Sequence, residues 1–182
     1  MSQATTTIEY ASVVTNIGTV LIATFDAQIY SILLGDTEQE PLQDLHDYAV
    51  KHLGQTKLLR ADNKNKLLFN ALALLKNYLN APSLSIYKQM QELPLYVEGT
   101  EFQKKVWTAL RDIPVGKTAS YSDIANSIGS PKAVRAVASA CAHNRHGIIV
   151  PCHRVLRSDG GISGYRWGVE RKKQIIALEA KA

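Results

Sequence analysis

Ser120-Tyr121-Ser122-Asp123-Ile124-Ala125-Asn126-Ser127-Ile128-Gly129-Ser130-Pro131-Lys132-Ala133-Val134-Arg135-Ala136-Val137 sets the architecture of the second half of this 182-residue chain. Ser120 stands where a helix N-cap belongs, ahead of a short helix predicted over 121–128. Gly129-Ser130 is a turn. Ser130 then reads as a second cap, with Pro131 at the first helical position. A second helix is predicted over 132–142, and two short helices around a glycine turn make a helix-turn-helix. That second helix carries small side chains at Ala133, Ala136, Ala138, Ser139, Ala140, Cys141 and Ala142, so its backbone can approach a partner closely. Lys132 and Arg135 add positive charge at its amino end, where free amides attract phosphate.

Downstream lies Ile148-Ile149-Val150-Pro151-Cys152-His153-Arg154-Val155. The apolar run predicts a buried strand, and Pro151 should end it. Cys152 then sits on a turn at the end of a rigid element, with a histidine and an arginine beside it. Such a setting suits a nucleophile, because the thiolate attacks and cationic neighbours favour the thiolate. A small cysteine packed in a core would account for the dipeptide alone equally well. Asp159-Gly160 suggests a hairpin or wing. Ser163-Gly164-Tyr165-Arg166-Trp167-Gly168 is a glycine-hinged aromatic loop, and a last helix runs from about Glu170 to Glu179.

Charge divides the chain. Residues 1–98 hold 7 Lys+Arg against 10 Asp+Glu, and residues 99–182 hold 14 against 6. A basic second half points to a polyanionic partner. Only two cysteines are present, Cys141 and Cys152, which argues against a disulfide scaffold. No run of about 18 apolar residues is present, so no membrane span is expected, and the amino-terminal residues lack the apolar core of a signal peptide. Gly116-Lys117-Thr118 invites a phosphate-loop reading, but the required earlier glycine is Arg111, so that reading is rejected.

The first half reads as strands over 8–14, 19–25 and 28–34, a helix over 41–53, a short strand near 55–60 and a stronger helix over 63–79 with Leu68, Ala71, Leu72 and Leu75 on its apolar face. Residues 81–99 read as a connection. Thr100-x-x-Gln103 is a capping box opening an amphipathic helix that stops before Pro114.

Pro151-Cys152-His153-Arg154-Val155, Ser120-Tyr121, Pro131 to Val137, Asn144 and Gly164-Tyr165-Arg166-Trp167-Gly168 together closely resemble the O6-alkylguanine-DNA alkyltransferases, in their microbial form. The match covers residues 100–179. The resemblance implies an α+β protein in two units: a small α/β unit over 1–93, ribonuclease-H-like with a three-stranded sheet and helices, and a winged-helix-like unit over 94–182. It implies transfer of an alkyl group from O6 of guanine, and from O4 of thymine, to Cys152. His153 would act as base through a water, Glu179 would orient His153, Asn144 would tie the helix to the cysteine segment, and Tyr121 would donate a proton toward the leaving guanine. Arg135 would fill the stack when the base flips out through the minor groove. Tyr121, Ser122, Ser130, Lys132, Ala133, Ala136 and Ser158 would touch DNA. Val155, Ser163, Gly164, Tyr165, Arg166 and Trp167 would form the base pocket, with Trp167 limiting alkyl size. The expected partner is double-stranded DNA containing O6-alkylguanine, met by a monomer in the cytoplasm, or in the nucleus of a eukaryote. No cofactor and no metal are expected. The set Cys141, His143, His146 and Cys152 could hold a metal only by consuming the nucleophile. No counterpart of the phosphotriester-repair unit fused to some relatives is expected either.

Overall fold

The computed structural model describes residues 5–182. The first half is built on a sheet. Strands β1 (Thr6–Thr15), β2 (Gly18–Phe25) and β3 (Gln28–Gly35) form an antiparallel meander. Asp26 and Ala27 both adopt positive φ, 49° and 56°, the conformation that lets a two-residue turn follow the twist of the strands it joins. From Thr19 to Ala23, β2 is buried on both sides, which explains its continuous apolar run in place of alternation. Helix α1 (Gln39–Leu53) carries the chain back to β4 (Thr56–Arg60), which pairs parallel to β1. The sheet therefore has four strands, in the order β3-β2-β1-β4, where three were expected. Helix α2 (Lys66–Asn80) is capped by Asn65 and buries Leu68, Ala71, Leu72, Leu75, Tyr78 and Leu79.

Residues 81–99 are more than a connection. Ser83 caps a helix, α3 (Leu84–Gln91), whose Tyr87 and Met90 are buried. Its weak apolar stripe, only two turns long, hides it from periodicity.

The second half is helical. The predicted capping box at Thr100 and Gln103 forms and opens α4 (Glu101–Arg111). A short strand β5 (Ala119–Ser120) leads into α5 (Tyr121–Ser127), again with a complete capping box, Ser120 to Asp123. Helix α6 (Val134–Ala142) starts two residues later than predicted. Ser130 does not cap it. The Ser130 carbonyl instead accepts from Ala133 N, closing a turn through Pro131 and Lys132.

The segment before the cysteine is buried but is not a strand. Ile148 has a φ of 73°, and Val150 N donates back to the His146 carbonyl, so the run coils into turns. A β-branched residue in the left-handed region is an outlier that surrounding packing must hold. Ile148 is fully buried, and Gln91 Nε2 fastens the Ile149 carbonyl at 2.9 Å. Cys152–Arg154 form a single 3-10 turn, followed by β6 (Val155–Leu156), which pairs parallel with β5. Asp159-Gly160 makes no strand-paired hairpin. It sits in a tight loop closed by Arg157 and Gly161. Helix α7 (Val169–Glu179) ends the structure.

One continuous hydrophobic core runs through both halves. Among the described residues no helix is long and apolar enough to cross a membrane. Gly116 has a φ of 75°, and a methyl group there would come within 3.0 Å of the Glu179 carbonyl. The turn between α4 and β5 therefore needs a glycine to pass under the end of α7, which accounts for Gly116-Lys117-Thr118 without a phosphate.

Candidate active site

Cys152 is 3% exposed and faces a cavity of about 380 Å³. Helix α6 supplies one wall through Ala138, Cys141 and Ala142. Tyr121 and the loop Ser163 to Arg166 supply the others. The volume falls in the usual range for small-molecule sites.

Asn144 holds the sulfur in place. Its Nδ2 donates to Cys152 Sγ at 3.2 Å and to the Val150 carbonyl at 2.8 Å, while its Oδ1 accepts from His146 N at 2.8 Å. One fully used amide thus fixes the carboxyl end of α6 against the cysteine segment. Burial pushes the Cys152 thiol up, opposed by the Asn144 hydrogen bond and the nearby Lys172 ammonium. The resting group is a thiol, so any attack by the sulfur needs a base.

His153 lies beneath, fully buried. Its Nε2 pairs with Glu179 Oε1 at 2.9 Å. A carboxylate there accepts, so Nε2 carries the hydrogen and Nδ1 presents a lone pair. Nδ1 has no protein partner. Arg154 Nε and Nη2 grip Glu179 Oε2 and Oε1, each at 2.8 Å, and Tyr78 of α2 donates to Oε1 at 2.6 Å. Burial would raise the Glu179 carboxyl, but His153 and Arg154 hold it well below the usual carboxylate range. Burial lowers His153, although Glu179 opposes this. The charge of Arg154 already balances Glu179, so a proton on His153 would add an uncompensated buried charge. The imidazole rests neutral, poised as a base.

Lys172 is also fully buried. Its Nζ donates to the carbonyls of Val155, Ser163 and Gly164 at 2.6, 3.0 and 3.3 Å, anchoring the pocket loop. Sequence reasoning assigns no role to Lys172 or Tyr78, reads Arg154 only as a cation beside the thiol, and does not place Cys141 in the cavity wall. For Lys172 a signal is present: Lys172, Ile175 and Glu179 fall at i, i+3, i+7, so two charged residues share the helix's inward face. Tyr78 leaves none, being 101 residues from Glu179.

The expected DNA-facing residues sort by position. Arg135 and Ala136 at the start of α6 and Lys132 in the turn before it are exposed, and Ala133 is half-buried. Arg135, Ala138 and Ala142 share one side of that helix by spacing, so Arg135 stands one turn above the cavity mouth. Ser122 and Ser158 meet, Oγ to Oγ, at 3.2 Å. Ser130 lies in the turn before α6, half-buried.

Two pocket expectations need correction. Val155 is fully buried behind the site and does not reach the cavity. Trp167 does not line it either. Its indole packs against Gly147, where an added methyl would meet the ring at 3.0 Å, and lies edge-on to Tyr165 at 5.3 Å between ring centres. The missing side chain at Gly147 leaves the room that the indole occupies.

Residues 101–181 match the family model described as 6-O-methylguanine DNA methyltransferase, DNA binding domain. The inducible methylated-DNA–protein-cysteine methyltransferase of Bacillus subtilis is 38% identical over 146 residues, covering 80% of this chain and 77% of that one. The chain belongs to the O6-methylguanine-DNA methyltransferase family. The bifunctional transcriptional activator/DNA repair enzyme Ada of Escherichia coli is 43% identical over 96% of this chain, but the chain spans only 46% of Ada's length. It spans 43% of the Salmonella typhimurium regulatory protein ada. Among solved structures, a single-residue variant of the Mycobacterium tuberculosis O6-methylguanine methyltransferase superposes with a TM-score of 0.73 at 30% identity, covering 95% of this chain and 93% of that one. The M. tuberculosis protein has also been solved in complex with DNA, with a TM-score of 0.69. These likenesses span both the sheet half and the helical half of the family fold.

Proposed function

We propose that this chain repairs DNA by direct reversal, moving the alkyl group from O6 of guanine, and from O4 of thymine, onto Cys152. The observation that carries this reading is the sulfur of Cys152 facing a base-sized cavity, with the neutral His153 and ionised Glu179 stacked behind it. A modified base must leave the duplex to reach a thiol 3% exposed, at a cost of a few kcal/mol. Arg135, exposed on α6, fills the vacated place in this reading, and the small side chains of α6 suit approach through the minor groove. Lys132, Ala133, Ala136, Ser122, Ser130 and Ser158 carry the remaining DNA contacts in this reading.

The chemistry is a displacement at carbon. His153 Nδ1 takes the thiol proton through a water. The sulfur lone pair forms the S–C bond, the C–O6 bond breaks, and its electron pair stays on O6. Tyr121, at the cavity wall, donates a proton toward the leaving guanine, and the proton from the thiol makes good that loss. The product is a thioether, whose S–C bond a protonated thiol does not attack; Cys141, on the same wall, is such a thiol because burial pushes it up, so each molecule acts once. Residues 94–182 do this work on double-stranded DNA containing O6-alkylguanine, and residues 1–93 brace them. The protein acts as a monomer in the cytoplasm, or in the nucleus if the source is a eukaryote.

The test is duplex DNA carrying a labelled methyl on guanine O6. Label on protein should saturate at about one per chain, and Cys152→Ser should take none while still binding DNA, a hydroxyl being the weaker nucleophile. Continued release of free methylated product would overturn the single-use mechanism.

A further inference from the structure

An acidic side chain from the first half reaches the wall of the cavity. Asp44, on α1, holds two guanidiniums at once. Arg145 Nη1 donates to its Oδ1 at 2.9 Å, and Arg166 Nη2 donates to both carboxylate oxygens at 3.0 Å. Arg166 Nη1 also donates to the Ala142 carbonyl at the end of α6, 3.2 Å away. The Arg166 side chain thus runs from the pocket loop to two other elements. It also lines two cavities, and among the described residues no other lines both. The first contains Cys152. The second is a cleft of about 300 Å³ whose lining includes Tyr48, His52, Glu98 and His143.

The two arginines are not equally free to respond. Arg145 is 7% exposed and lies over the Tyr48 ring at 4.0 Å, so it is fixed. Arg166 has a quarter of its side chain exposed and so has open solvent to turn toward. An isolated surface ion pair would hold it weakly. Here one carboxylate is shared by two cations, and a carbonyl adds a second anchor. Burial opposes the charge on Asp44, but Arg145 and Arg166 outweigh it and keep the carboxyl below its ordinary range. Without that charge, the two guanidiniums would face each other with no acid between them. Arg166 would swing out, and the reactive cavity would open into the neighbouring cleft.

We propose that Asp44 is a positioning residue that straps Arg166 across the cavity rim and so sets the largest O6 substituent the pocket accepts. This rests on the alkyl-transfer reading above. It moves the size limit from Trp167, which packs away from the cavity, to Arg166 and its partner in the other half of the chain.

The experiment measures second-order inactivation of the full chain by O6-methylguanine and O6-benzylguanine. Wild type, Asp44→Asn, Asp44→Glu, Arg166→Ala and the Asp44→Asn/Arg166→Ala double variant are compared. The benzyl-to-methyl ratio should rise about tenfold in Asp44→Asn and in Arg166→Ala, the scale on which a pocket wall discriminates small apolar groups. The double variant should match Arg166→Ala within about twofold, because Asp44 acts through Arg166. Asp44→Glu should return the ratio toward wild type. If both rates fall together in Asp44→Asn with the ratio unchanged, Asp44 only supports the fold and the inference is overturned. Additive effects in the double variant would overturn it too. If wild type takes up no methyl at all, the alkyl-transfer reading itself falls. A reactive wild type with an unmoved ratio defeats the Asp44 inference alone.

Discussion

Ile22 at the centre of the sheet and Glu179 at the end of the last helix are both almost completely buried, at 0% and 2% exposure. Around Ile22 the burial is apolar. Around Glu179 it is a closed polar set: Arg154 at two points, His153, Tyr78, and the Ile113 carbonyl that Arg154 also reaches. The first kind of interior stabilises by removing carbon from water, at about 25 cal/mol per Å². The second does little for stability beyond what a well-packed apolar replacement would give, and it is costly if left incomplete. What it supplies is a proton acceptor of fixed orientation beneath the thiol. The sheet half, meanwhile, is not a separate scaffold. Tyr78 completes the polar set, and the Tyr87 ring lies under the Arg154 guanidinium at 4.4 Å.

Breaking each interior should therefore give different signatures. Glu179→Gln strips the carboxylate from Arg154 and should destabilise the fold by about 3–5 kcal/mol, with loss of the base function of His153. Leu75→Ala, in the apolar interior, should cost a comparable amount, about 2–5 kcal/mol. Its transfer rate per folded molecule should stay near wild type. Denaturant titration together with inactivation rates at low temperature separates the two. Equal rate losses would erase the distinction between the halves.

Acid should sharpen the contrast further. Burial lowers His146 to about 4, against the Ile29 carbonyl that its Nε2 contacts at 3.0 Å, and burial lowers His153 as well. Both imidazoles remain neutral in the folded chain while the unfolded chain protonates below about pH 6.5. Stability is then fully present above that pH and falls as pH drops toward 4. His146 alone accounts for on the order of 3 kcal/mol. His146→Gln should flatten the midpoint-against-pH curve through this window, and an unchanged slope would show that His146 is not the linked group.

The smallest effect on stability belongs to the exposed charges. Arg135→Ala should leave the melting temperature within about 1–2 °C of wild type, as surface changes do. It should slow transfer from duplex DNA about tenfold while sparing free O6-methylguanine. Equal losses on both substrates would remove Arg135 from base extrusion.

Much of this arrangement is visible in the sequence, and its gaps have physical causes. The capping box at Thr100 and the N-cap at Ser120 act within a few residues, so they read directly. Cys152 and His153 are reachable because they sit in a specific motif, and Glu179 is reachable only through the family resemblance that motif carries. The turn at Ile148 is not, because an apolar run between Gly147 and Pro151 looks like a strand unless tertiary contacts force a positive φ. Trp167 escapes for a related reason: a loop's register says which residues are near a pocket but not which way each one faces. Asp44 is invisible, since nothing local links residue 44 to residues 145 and 166.

The contact between His146 and Ile29 joins residues 117 positions apart. Closing so long a loop is entropically unfavourable until other contacts have formed. In the order of folding, the segment carrying Cys152 can dock only after β3 exists to receive it. Until then the thiol is open to solvent, with an ordinary acidity and no pocket to choose what it meets. The sheet half thus determines when the cysteine is enclosed as well as where it sits, and a chain whose β3 has not yet formed leaves its thiol open to any electrophile.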